Sequence, residues 1–353
     1  MRTPRKRIAS RPEWVGLGVM VLVAIGIVAL AAELITGALA VLLFGVMIAS
    51  VVGIIWVAIM GGIETRRALA PYGLLKPGIL WLSLFFLAPL WAMMEMSLSS
   101  KKSRFDFSPS FSWEWGNYSR ALTDFGPQFG RSFLYAGIAT ILTLLIGYPL
   151  AYVIAFRGGK YRSLLLGLIA VPFFTSYLIR TLAWQNLLSD SGPVVSVLET
   201  MKLENLMEWL HIMDNGRLIN TPAAVIGGLT YNFLPFMILP IYVSLEKIDT
   251  RLVDASMDLY TSATGAFRRV VLPMSLPGIF AGSLLVFIPA AGDFVNAKFL
   301  GSPQTTMIGS SIQDQFLVQL NYPLAAAMSF VLMAIITASV LVYAKFMGTE
   351  DLT

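Results

Sequence analysis

The chain has 353 residues with a formal net charge of +5; 57% of residues are hydrophobic and 13% charged, against roughly 25% charged in an average soluble protein. That balance, with a mean hydropathy of +0.74, excludes a soluble globular domain and indicates an integral membrane protein. The absence of cysteine excludes a disulfide framework, a thiol-ligated metal and a cysteine nucleophile, and a single histidine, His211, gives no basis for a dedicated transition-metal site.

A membrane-spanning helix needs about 20 predominantly apolar residues, and that pattern recurs at 15–32, 37–60, 77–97, 131–155, 163–187, 222–245, 276–296 and 324–346. Long unbroken apolar runs such as 138–155 exclude a β-barrel, whose strands alternate in segments of about ten residues. The expected fold class is therefore all-α and polytopic. The first two spans, with Glu33 in the turn between them, read as an added anchor. A domain boundary is expected at 61–76, giving an N-terminal unit 1–61 with a basic tail and two helices, and a main unit 62–353. The start also admits a second reading, a signal peptide cleaved at Ala29-Leu30-Ala31.

Lys and Arg are retained on the cytoplasmic side of membrane proteins. With the N-terminus inside, Arg2, Arg5, Lys6, Arg7, Arg11, Arg66, Arg67, Lys76, Arg157, Lys160, Arg162, Lys247, Arg251, Arg268, Arg269 and Lys345 all fall on inner segments. Lys101, Lys102 and Arg104 go against the rule. The positive charge thus belongs to inner loops, with the basic N-terminal run able to touch anionic membrane lipid, and needs no nucleic-acid partner. Outer loops are expected at 98–130, with Trp113, Trp115 and Tyr118 suited to the membrane interface, at 188–221, and at 298–322.

No phosphate-cradling G-x-x-x-x-G-K-[ST] pattern is present; Gly158-Gly159-Lys160 is followed by Tyr161. Neither a catalytic site nor a cofactor is expected in this chain, and any ATP must be used elsewhere. The long inner loop 246–275 carries Leu252, Ala255, Ser256 and Leu259 on one helix face, at i, i+3, i+4 and i+7, with Asp254 and Asp258 off it. Periodicity alone reads this as an amphipathic helix lying on the bilayer.

The same loop resembles the cytoplasmic EAA motif of ABC importer permeases, in which an acidic and two small residues are followed at fixed spacing by glycine, an aliphatic residue and Leu-Pro. Here those positions hold Asp254, Ala255, Ser256, Tyr260, Val270, Leu272 and Pro273, with Tyr260 where glycine is expected. The resemblance continues over 72–347 and is most similar to the spermidine/putrescine type. Its strings include Pro77-Gly78-Ile79-Leu80-Trp81, Gly147-Tyr148-Pro149-Leu150-Ala151-Tyr152, Val171-Pro172-Phe173-Phe174, Ile179-Arg180-Thr181, Leu234-Pro235-Phe236, Gly292-Asp293-Phe294 and Thr306-Met307-Ile308-Gly309. It implies a type I importer core of six helices and a loop that couples to a cytoplasmic ATPase through Asp254, Ala255, Ser256, Asp258, Leu259, Tyr260, Leu272 and Pro273. It further implies two ATP-binding subunits, a second permease (related or identical), a soluble extracytoplasmic binding protein and a small solute, with this chain in the inner membrane.

Charged residues inside a membrane cost about 2.5 to 3.5 kcal/mol or more each. Arg180 and Asp293 fall in the outer thirds of spans five and seven, where they are expected to line a solute path or to meet as a structural ion pair. Tyr231 and Asn296 are the accompanying polar candidates, with Asn232 and Tyr242; Pro235 and Pro240 are expected to bend span six. Two other classes stay open from sequence. An ion-coupled secondary transporter would bury several ionisable groups and often shows repeats, and a membrane scaffold would only bind partners.

Overall fold

The computed structural model describes residue 78 and residues 81–101, 109–209, 212–214, 216–258 and 262–347. The two N-terminal spans, Glu33, His211, Leu259, Tyr260 and the expected boundary at 61–76 lie outside these residues. The chain divides into two compact units, Met1–Met96 and Ser97–Thr353.

In the first unit an apolar helix begins with a π-helical turn, Ser83–Leu87, and continues as α1, Ala88–Ser97. The wide turn has a local cause. Pro89 brings no N–H to the ladder, and the Ala88 N–H instead reaches back to the Ser83 carbonyl.

In the second unit a small antiparallel pair, β1 Ser99–Ser100 and β2 Ser110–Phe111, leads into α2, Gly116–Arg157, a helix of 42 residues. Much of the stretch expected as outer loop is therefore the first third of α2. Asn117 stitches this start together, donating from Nδ2 to the carbonyls of Ser97 (2.9 Å) and Ser99 (3.0 Å). The single span expected at 163–187 is instead two helices, α3 Arg162–Ala170 and α4 Tyr177–Leu187, bent by 93°. Pro172 removes a backbone donor at the break, Thr175 turns extended, and its Oγ1 donates to the Pro172 carbonyl at 2.7 Å. The bend expected at Pro235 and Pro240 does not interrupt the helix there.

After α5 (Pro193–Thr200) and α6 (Glu204–Trp209) comes α7, Pro222–Glu246, the central helix of the unit. Thr221 caps it, accepting the Ala224 N–H at 3.1 Å. Leu229, Met237, Ile238, Ile241 and Leu245 along α7 are fully buried, wedged between α2 and α10. The inner loop forms α8, Thr250–Asp258, and α9, Ala263–Ala266, and a π turn Phe267–Val271 merges into α10, Leu272–Ala291. Gly278 permits close packing of α10 on α7: a Cβ there would sit 2.6 Å from the Pro240 carbonyl and 2.5 Å from Ser244 Oγ. The span expected at 276–296 thus starts earlier and stops at Ala291, because Gly292 and Asp293 break it. Two shorter helices, α11 Val295–Leu300 and α12 Ile308–Leu317, precede the last span, α13 Tyr322–Met347. Among the described residues four helices are long and apolar enough to cross a membrane, or five with the bent pair counted as one.

Candidate solute site and coupling surface

The break after α10 exposes backbone donors at the start of α11, and Asp293 answers them: its Oδ1 accepts the Asn296 N–H at 2.7 Å. Aspartate favours this local bond at helix starts, which is why the chain turns here. The carboxylate is 7% exposed. Its Oδ2 accepts the Tyr177 hydroxyl at 2.5 Å, reaching across from the first residue of α4. Asn296 Nδ2 donates to that same hydroxyl oxygen at 2.6 Å, and Asn232 Nδ2 on α7 donates to Asn296 Oδ1 at 3.2 Å. Thr181 joins from α4, its Oγ1 lying 3.4 Å from both Asn296 Oδ1 and Asn232 Nδ2.

These bonds form a directed chain, Asn232 to Asn296 to Tyr177 to Asp293, in which each member donates toward the carboxylate. Bonds aligned this way polarise one another in a low-dielectric interior. The far end is unfilled: Asn232 is 1% exposed and its Oδ1 has no partner. Asp293 forms no ion pair among the described residues, so the expected Arg180–Asp293 contact is not present. Arg180 instead lies over the Tyr177 ring, its Cζ 5.6 Å from the centroid. Tyr177 is the residue that both charged groups touch.

Aromatic rings continue from this point along α4 and α7. Tyr177 faces Phe233 at 6.1 Å, Phe233 faces Phe236 at 6.1 Å, and Phe236 meets Phe173 of the break edge-on at 4.9 Å. Trp184 and Tyr231 form a second edge-on pair at 5.3 Å. Tyr231 is 39% exposed; it stands beside the polar chain without a hydrogen bond to it. The wall behind Asp293 comes from α12. A Cβ on Gly309 would lie 2.3 Å from the Gly292 carbonyl and 2.8 Å from that of Asp293, so only glycine lets α12 approach this turn. Ser310 Oγ then donates to the Phe294 carbonyl at 3.1 Å, and Ser132 of α2 accepts the Ile308 N–H at 2.8 Å. Of the four sequence candidates, Asp293 and Asn296 are joined directly, Arg180 touches them through Tyr177, and Tyr231 lines the neighbouring ring pair. Tyr177 and Thr181 were missed as site residues; their i, i+4 spacing, which puts them on one helix face beside Arg180, was the available signal.

A second surface lies on the inner loop. Asp249 Oδ1 accepts the Arg251 N–H at 2.9 Å as α8 begins, and Ser262 caps α9. Helix α8 packs through Val253 on the core and leaves Leu252, Asp254, Ala255, Met257 and Asp258 exposed. Leu252 and Ala255, expected on a common face, therefore have no covering among the described residues. The descending arm is anchored by Phe267, which meets Tyr148 at 5.7 Å and Tyr152 at 6.0 Å edge-on, while Tyr148 and Ser275 share a hydroxyl bond of 2.9 Å. Leu272 packs on the core and Pro273 is exposed. Nearby, Arg162 pairs with Glu246 at 2.8 Å, tying the start of α3 to the end of α7. Among the described residues no cluster of His, Asp or Glu has metal-binding geometry.

A family model described as the binding-protein-dependent transport system inner membrane component matches residues 144–346. The chain is 37% identical over 267 residues to the spermidine/putrescine transport system permease protein PotB of Haemophilus influenzae, covering 74% of this chain and 89% of that one. It is 36% identical to the protein of the same name in Escherichia coli, covering 74% and 92%. At 32% identity it also matches the inner membrane ABC transporter permease protein YdcU of Escherichia coli, over 63% of this chain and 71% of that one. Its fold is that of a chain in the crystal structure of a bacterial ABC transporter that imports the acidic polysaccharide alginate, with a TM-score of 0.60 at 16% identity over 82% of this chain and 98% of that one.

Proposed function

Since this chain belongs to the family of inner membrane components of binding-protein-dependent transport systems, and is thus a multi-pass permease subunit of an ABC importer, we propose that its solute is a polyamine of the spermidine or putrescine class. The observation that carries this reading is Asp293, a buried carboxylate without an ion-pair partner among the described residues, bonded to Tyr177, whose ring in turn faces Phe233. An alkylammonium suits that combination. Its charge pairs with the carboxylate, and its N–H and C–H edges favour ring faces, each such contact contributing about 0.5 to 2 kcal/mol once water is excluded. The relatives named for spermidine and putrescine transport support the same class. An ion-gradient-driven carrier is not favoured by the family.

In this reading Arg180, Tyr231, Asn296 and Asp293 flank the outer part of the path, and the inner loop faces the cytoplasm with the N-terminus. Two ATP-hydrolysing subunits drive the cycle. One of them receives α8 through Leu252, Asp254, Ala255 and Asp258, with Leu272 and Pro273 passing its motion into α10. A second permease completes the path, and a soluble binding protein delivers the solute. Alternating access follows when ATP-driven closure biases two arrangements of the packed helices.

The direct test is Asp293→Asn in the reconstituted transporter, with uptake of radiolabelled spermidine and putrescine and co-purification of the ATPase both measured. Loss of one buried charge partner costs about 2 to 5 kcal/mol, so uptake should fall at least tenfold while the ATPase still co-purifies. Unchanged uptake would overturn the assignment of Asp293.

A further inference from the structure

Arg180 is the charged side chain that this reading leaves without a task. Its Nε and Nη1 are buried and have no hydrogen-bond partner, and it forms no ion pair among the described residues. Asp293 is likewise buried and without an ion pair. Both touch one residue: the Tyr177 ring lies under the guanidinium at 5.6 Å, and the Tyr177 hydroxyl donates to the carboxylate. Arg180 leaves its buried Nε and Nη1 unpaired, and Asp293 is held only by the neutral donors Tyr177 and Asn296; a direct ion pair would offset the desolvation of both more fully. Pairing them requires Tyr177 to give up its bond to Asp293. Tyr177 is the first residue of α4, just beyond the 93° bend, so no preceding turn of its own helix packs against it.

We propose that Arg180 is the internal counter-ion of Asp293 when the solute is absent. In that conformation Tyr177 swings out and the guanidinium occupies the carboxylate. An arriving cation displaces Arg180, and the Tyr177 hydroxyl returns to Asp293. The return of Arg180 later expels the solute toward the inner side. A tethered guanidinium therefore sets a threshold that a cation must exceed to enter, which makes Arg180 a specificity-determining residue and Tyr177 the positioning residue that arbitrates between the two cations. This inference rests on Asp293 being the solute site.

The test is the Kd for radiolabelled spermidine on the assembled transporter in nanodiscs, together with kcat for uptake in liposomes. When a competing closed state is removed, apparent affinity rises by the fraction that state occupied. Arg180→Gln should lower Kd by about tenfold and reduce kcat, since the displacing cation is gone, while Arg180→Lys retains both values near those of the parent. Tyr177→Phe keeps the ring but loses the bond that holds Asp293 away from Arg180, so its Kd should rise. The double variant Tyr177→Phe with Arg180→Gln should return to the Kd of Arg180→Gln alone. A merely structural role predicts weaker binding in both single variants and independent effects in the double, and that result overturns the proposal, as does an unchanged Kd in Arg180→Gln. If the Arg180→Gln complex does not assemble, Tyr177→Phe decides alone: an unchanged or lower Kd overturns it. The two readings also fail separately. Full uptake by Asp293→Asn removes the solute site, whereas lost uptake there with an unaltered Kd in Arg180→Gln removes only the counter-ion.

Discussion

At the scale of single residues, the site depends on a glycine that touches no solute. Gly309 brings the start of α12 against the carbonyls of Gly292 and Asp293, and those atoms are backbone, which cannot rotate away. Gly309→Ala should therefore destabilise the protein by about 1 to 3 kcal/mol, as overpacking does, and should also weaken solute binding by shifting the Asp293 turn. Gly130→Ala, on a helix where a Cβ meets nothing within 4 Å, should be neutral or slightly stabilising. Thermal unfolding of the two purified variants, beside their spermidine affinity, checks the pair. Asp293 was legible as a site candidate because a carboxylate in an apolar run is costly, but the turn at Asp293–Asn296 was not, since 276–296 reads as one apolar span. Tyr177 was not: a tyrosine on an apolar span is commonly interfacial, and only the tertiary approach of α11 brings its hydroxyl to Asp293.

At the scale of elements, α8 shows how a helix can be stable in the fold while part of its apolar surface stays uncovered. Val253 holds it to the core, and Leu252, on the other side, is 50% exposed. Leu252→Glu should leave the permease folded but prevent ATPase docking, because truncating or charging a well-packed interface anchor costs about 2 kcal/mol or more. Loss of the ATPase on co-purification, with normal elution of the permease alone, is the expected result. The helical run from α9 through the Phe267–Val271 turn into α10 has no break, which supports a loop that moves with α10. Amphipathic spacing made α8 readable from sequence, since its period is local. The broken span was not readable, because residues 163–187 are apolar on both sides of Pro172 and hydropathy does not register a change of direction. The missed extension of α2 has the related cause that its first turns are polar and aromatic yet helical.

At the scale of the whole molecule, the cysteine-free sequence allows topology to be tested with single introduced cysteines and no background. A cysteine at Ser262, on the inner loop, should react with a membrane-impermeant maleimide only in inside-out vesicles, and one at Ser189, beyond α4, only in right-side-out vesicles. The opposite pattern would reverse the orientation. Phe174→Cys, at a residue 90% exposed, should label in detergent-free membranes, whereas Met333→Cys in the middle of α13 should not. Absence of labelling at position 174 would count against a wet break.

That last expectation follows from the bend between α3 and α4. Hydrocarbon offers no partner to backbone groups released where a helix breaks, so lipid does not close over residues 171–176. The backbone groups released there need water or protein as partner, so a detergent or lipid mimic that packs alkyl chains against this stretch is expected to disturb the bend before it disturbs a single span.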